Sequence, residues 1–263
     1  MRCINFFLLC ALTYHATILA SDLVTAIAGG HDTQISRHRG IVSLQRDGRH
    51  ICGAGLISVN WLLTSAKCVA LGPQHLSVHA GSNTTDGTRF EVEKVILHPD
   101  YKPAAHDADI ALLYVKENIT DTNFTSAYLL PYGKTEEIPE EAHCHLIGWG
   151  KLANGSYPRD LQMGYVIALS REVCRKHYSQ ELITMDMFCV ASNLNTLDHN
   201  TIAACQGDFG GPVVCYATGL VGIQGIASWG MGCRTTNNKP TVITKVYSYV
   251  KWIRNVTGIK EPF

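Results

Sequence analysis

Short β-rich runs follow one another along most of this chain, and no long helical period interrupts them. They are residues 40–44, 50–57, 76–80, 90–97, 110–115, 145–149, 163–169, 212–215, 220–228 and 241–246, mostly bounded by turn residues. Asp47-Gly48 between the first two is a hairpin signal, because both residues tolerate the positive φ of a tight two-residue turn. Many short strands favour a barrel or a sandwich, so the expected class is all-β. Near the end, Val246, Val250, Ile253 and Val256 are spaced to share one helix face, which stops near Gly258. The polar stretch from Tyr132 to Glu141, with Pro139 in it, is the candidate linker between two halves.

The N-terminus reads as a secretory signal. Arg2 supplies the positive end, residues 6–20 are the apolar stretch, and Ser21-Asp22 follows. Thr13 and His15 interrupt an already short run, which argues against a retained membrane span. Cysteine usage agrees with export. Ten Cys occur, two of them (Cys3 and Cys10) in the leader. An even set remains, which suggests four disulfides, and about a hundred pairings are open at this point. No pair has C-x-x-C spacing, so a zinc site is not indicated and no metal is expected. Sequons at Asn83, Asn118, Asn123, Asn154 and Asn255 are compatible with glycosylation.

Apolar residues are 46% and charged residues 17%, enough for a real core. Lys+Arg and Asp+Glu are both 22, and this zero net charge argues against a general binder of nucleic acid or anionic membranes. The local group Arg171, Arg175 and Lys176 reads as solvated surface.

Several segments resemble the trypsin/chymotrypsin family of serine proteases, in family order across residues 27 to about 258. Ile27-Ala28-Gly29-Gly30 resembles the mature N-terminus. The segment from Cys52 through Trp61-Leu62-Leu63-Thr64-Ser65-Ala66-Lys67-Cys68 resembles the one carrying the catalytic histidine. Asp109-Ile110-Ala111-Leu112-Leu113 resembles the aspartate segment. Cys205-Gln206-Gly207-Asp208-Phe209-Gly210-Gly211-Pro212 resembles the serine segment. Ser228-Trp229-Gly230 and Asn238-Lys239-Pro240-Thr241 resemble the walls of the specificity pocket. The resemblance implies two six-stranded antiparallel β-barrels, about 27–131 and about 142–246, and a C-terminal helix over about 246–257. It also implies the pairings Cys52–Cys68, Cys144–Cys215, Cys174–Cys189 and Cys205–Cys233. A narrower likeness, over Gly155 to Leu161 and Val166 to Ser179, is to the trypsin-like allergens of mites. With the replaced residues described next, the chain resembles the inactivated protease paralogues of the scabies mite.

Acyl transfer in this family needs an oxygen nucleophile, a base to take its proton and a carboxylate to orient the base. By the resemblance, the carboxylate is Asp109, the base position holds Lys67 and the nucleophile position holds Phe209, which has no atom able to form an acyl intermediate. Gly207 and Phe209 hold the oxyanion-hole positions. Ala203, Ser228, Gly230 and Thr241 line the specificity pocket. Ala203 stands where basic-selective members have Asp, and Thr241 is expected to narrow the pocket. His106 reads as a surface histidine, and Ser65 and Ser228 as structural. Lys67 is expected to form an ion pair with Asp109. Asp208 is expected to need the ammonium of a released Ile27 as partner. Thr25-Ala26 before Ile27 offers no trypsin-like activation site, and release falls after Ala20 or after Ala26. The expectation is therefore an exported, monomeric, cofactor-free pseudoprotease that binds protein partners, host complement among them. The alternatives are a weakly active endopeptidase and a structural or glycosaminoglycan-binding pseudoprotease.

Overall fold

The computed structural model describes residues 26–120, 126–131, 138–179, 182–192, 202–216, 222–231 and 239–260. The expected leader, most of the expected linker and Cys233 lie outside the described residues. The described chain begins with a single helical turn, α1 (Ala26–Gly29), and a two-residue strand, β1 (His31–Asp32).

Six antiparallel strands then close the first barrel: β2 (Ile41–Arg46), β3 (Arg49–Leu56), β4 (Trp61–Thr64), β5 (Leu76–Ala80), β6 (Thr88–Leu97) and β7 (Ala111–Val115). They pair in the order β2-β3-β4-β7-β6-β5 and back to β2. Arg46 faces Arg49 across the first hairpin, and Asp47 and Gly48 both take positive φ, 52° and 71°. Val42, Leu44, Leu62, Val78 and Leu113 fill this barrel. Burying each such side chain is worth about 1.5–3 kcal/mol.

The second barrel is built from β8 (His143–Gly148), β9 (Gln162–Leu169), β10 (Met187–Ala191), β11 (Pro212–Tyr216), β12 (Gly225–Trp229) and β13 (Thr241–Lys245). Its order is β9-β10-β13-β12-β11-β8, closed by β8 against β9, with β1 added on the other edge of β9. A third apolar cluster lies between the barrels and the chain end, where Leu63, Leu112 and Ile226 meet Val246, Val250 and Ile253.

That chain end is a 3-10 turn (Val246–Tyr249) running into α4 (Val250–Thr257), rather than one helix from residue 246. Gly258 ends it at φ 74°, its N–H donating to Arg254 O at 2.8 Å. A single helical turn, α2 (Ala66–Val69), follows β4, and a longer helix absent from the sequence reading, α3 (Arg171–His177), stands between β9 and β10. Ser170 caps α3 by accepting from Val173 N.

Three disulfides join Cys52 to Cys68, Cys144 to Cys215 and Cys174 to Cys189. Cys205 is also disulfide-bonded. No helix among the described residues is long and apolar enough to cross a membrane.

Candidate functional site at the barrel junction

The residues assigned from the serine-protease resemblance come from three connections and meet between the barrels. β4 ends in Thr64, and Ser65 and α2 follow, with Lys67 on the helical turn pinned by the Cys52–Cys68 bond. Asp109 lies just ahead of β7 and is fully buried. Phe209 sits in the tight turn before β11, where Gly210 at φ 81° packs against Thr64 and Gly53 with no room for a side chain.

The expected Lys67–Asp109 ion pair is not formed. Asp109 Oδ2 accepts from Ser65 Oγ and Ser228 Oγ, both at 2.6 Å, and Oδ1 accepts from the backbone N–H of Lys67 at 2.9 Å. Three short bonds saturate the carboxylate, so burial without a cation is tolerable. The Lys67 ammonium turns the other way. It donates to the Ser228 carbonyl and lies 3.7 Å from the centroid of the Phe209 ring. A cation over a partly desolvated aromatic face gains about 1–2 kcal/mol. The ring itself is half-buried and packs against the cores of both barrels.

A side-chain bond links two positions of the specificity-pocket walls. Ala203 and Thr241 are buried, and the Thr241 hydroxyl accepts from Ala204 N at 3.0 Å, tying one wall to the other. Gly230 borders Thr241, with 3.5 Å between its open Cβ position and Thr241 Cα. His106, on the loop ahead of Asp109, is partly exposed, but its ring has a partner. It stacks on Trp229 at 5.3 Å, and Tyr178 meets the same indole edge-on at 4.8 Å. His50, also missed, donates through Nε2 to Gly207 O at 3.0 Å while Nδ1 takes the Ser43 hydroxyl at 2.9 Å. This anchors the 207–209 turn. The N–H groups of Gly207 and Phe209 donate to no group among the described residues.

The family model described as trypsin matches residues 27–253. The chain belongs to the trypsin family. It is 35% identical over 254 residues to Serine protease 1 of Homo sapiens, covering 93% of this chain and 95% of that protein. It is 33% identical over 246 residues to the atrial natriuretic peptide-converting enzyme of Homo sapiens, covering 89% of this chain but 23% of that longer protein.

In the uncut chain the trypsin-family segment around Asp208 is held without the released ammonium. Asp208 is buried and accepts from Gly150 N at 2.8 Å and Cys205 N at 2.9 Å. No cation pairs with it among the described residues. With the Ala26–Ile27 bond intact the Ile27 nitrogen is an amide, although the Ile27 side chain is fully buried in the second core, at φ 46°. Burial pushes the carboxyl from 3.8 up to about 7, against the pull of the two N–H donors, so the folded chain keeps the proton well above the usual carboxylate range. Burial pushes the Lys67 amine down from 10.5 to about 8, and the Asp109 charge only partly offsets this.

The two shifts set opposite limbs of a stability profile. Between about 4 and about 7 the folded chain holds the Asp208 proton that the unfolded chain has lost, so stability falls as pH rises. Between about 8 and about 10.5 the folded chain has released the Lys67 proton that the unfolded chain keeps, so stability rises with pH. Burial also pushes His38 and His50 down to about 4, and between about 4 and 6.5 they raise stability with pH against the Asp208 limb. In denaturant titrations of the uncut protein each limb is therefore read as the difference between the wild type and the variant lacking its group. Asp208→Asn should flatten the first and Lys67→Met the second. An unchanged profile in either variant contradicts the corresponding assignment.

Proposed function

We propose that this trypsin-family chain is an exported protein that acts by binding and does not cleave peptide bonds. The observation that carries the reading is Phe209. It occupies the nucleophile position of the resemblance and wedges its ring between the two barrel cores, under the ammonium of the residue at the base position. A Ser–Lys pair needs a hydroxyl there, and phenylalanine has none. The closed wall at Ala204 and Thr241 also works against a side chain entering the pocket. A weakly active endopeptidase is therefore the poorer reading. A purely structural role has no specific observation in its favour.

The likeness to the inactivated mite paralogues suggests the kind of partner: host defence proteins, complement first. Added to serum at micromolar concentration, the mature protein is expected to lower complement lysis without cleaving any component. Unaffected lysis through every pathway would refute the complement partner and leave the binding role standing.

Maturation belongs to the same reading. Val24 and Ala26 are small, uncharged residues at positions suited to signal peptidase, so release of Ile27 needs no activating protease. The new ammonium then becomes available to Asp208. N-terminal sequencing of the secreted protein is expected to begin at Ile27; Ser21 as first residue overturns direct release.

A further inference from the structure

Away from the barrel junction, the fold gathers the basic residues of α3 around a groove of about 680 Å³. The sequence reading treated Arg171, Arg175 and Lys176 as ordinary solvated surface. In the structure they share this groove with Lys245, at the end of β13, and with Glu140 and Glu172. The charges are not equally committed. Lys176 pairs with Glu172 at 3.4 Å, and the Arg175 guanidinium is held by the Ile183 carbonyl at 2.9 Å. Arg171 contacts the Met185 sulfur, and neither it nor Lys245 has a carboxylate partner among the described residues. Two cations are left to face the groove unneutralised.

The floor is apolar. Leu169, Met187 and Phe188 line it but are nearly buried in the second barrel's cores, so the apolar surface on offer is chiefly Met185, 60% exposed at the rim above them. Methionine adapts its shape to whatever apolar group is presented. We propose that this groove is a docking site for an acidic peptide segment carrying an apolar anchor residue. The anchor seats against Met185, over the Leu169–Met187–Phe188 floor, and flanking carboxylates meet Arg171 and Lys245. Charge complementarity selects this occupant. A sulfated glycan offers nothing to the apolar floor and is repelled by the carboxylates of Glu140 and Glu172, whereas a peptide with spaced charges tolerates them. The proposal rests on the binding role above for its biological purpose, and it places that role on a surface separate from Phe209.

The test is a displayed library of random peptides panned on the intact protein. A recovered peptide is then labelled and titrated by fluorescence polarisation. Peptides combining Asp or Glu with Phe, Leu or Met are expected. The double variant Arg171→Glu, Lys245→Glu should weaken their binding about tenfold or more, and added salt should weaken it in the wild type. The exposed pair Arg159→Glu, Lys251→Glu makes the same change in net charge and should leave affinity unaltered. Should the first double variant fail to fold, Arg171→Gln, Lys245→Gln serves in its place. Recovery of no acidic–apolar peptides, equal losses in both double variants, or a heparin-type oligosaccharide binding the groove more tightly than any peptide would each overturn the proposal. Failure here with serum inhibition intact moves the binding surface elsewhere. Peptide binding without serum inhibition removes only the complement partner.

Discussion

The purified mature protein is expected to hydrolyse neither peptide nor ester substrates and to resist labelling by serine-directed phosphonates. Losing the serine or the histidine of an intact triad costs about a millionfold in turnover, and the two losses do not add, so either replacement suffices. Phe209→Ser alone should restore no trypsin-like activity. The new hydroxyl would lie beside the Lys67 ammonium, which is charged below about pH 8 and committed to the Ser228 carbonyl. Asp109 would have no imidazole to orient. The pocket would still lack a carboxylate at Ala203 and stay tied shut through Thr241. Even the roughly 10³–10⁴ over water that an oxyanion hole alone supplies requires the scissile carbonyl to reach the N–H groups of Gly207 and Phe209. Phosphonate labelling of the wild-type protein, or rapid turnover by the single variant, would defeat this account.

Asp109→Ala is expected to destabilise the fold by about 3 kcal/mol or more, seen as a lower denaturant midpoint at unchanged slope. The substitution strips the partner from two buried hydroxyls and one backbone N–H and removes the only carboxylate acting on Lys67. If the proposed binding role holds, the loss of this carboxylate is read in stability rather than in turnover. A change below about 1 kcal/mol would mean that water or rearranged hydroxyls replace the carboxylate freely.

Most strands were legible as short β-rich runs between turn residues, and their arrangement as two barrels came from the resemblance to the trypsin family. β10 was not, because Met187–Ala191 is buried on both faces and shows no alternation. β4 escaped for a similar reason, being four residues long and mostly buried. Local geometry at the junction was harder still. Pairing Lys67 with Asp109 followed from opposite charge at adjoining positions. It overlooked Ser65 and Ser228, which reach the carboxylate from 44 and 119 residues away. Hydroxyls that bond a carboxylate at 2.6 Å leave it little need of an ammonium. Asp208 is a different case: its expected partner exists only once Ile27 is released, and in the uncut chain two backbone N–H groups bond the buried carboxyl. The stacking of His106 on Trp229 was not legible either, because the two residues are brought together only by the fold.

Phe209 touches the cores of both barrels at once. A serine there would present a small polar group at the seam, whereas the aromatic ring gives the two halves a common apolar neighbour. Loosening either barrel therefore uncovers a ring that the other also holds, which ties the stability of the two halves together.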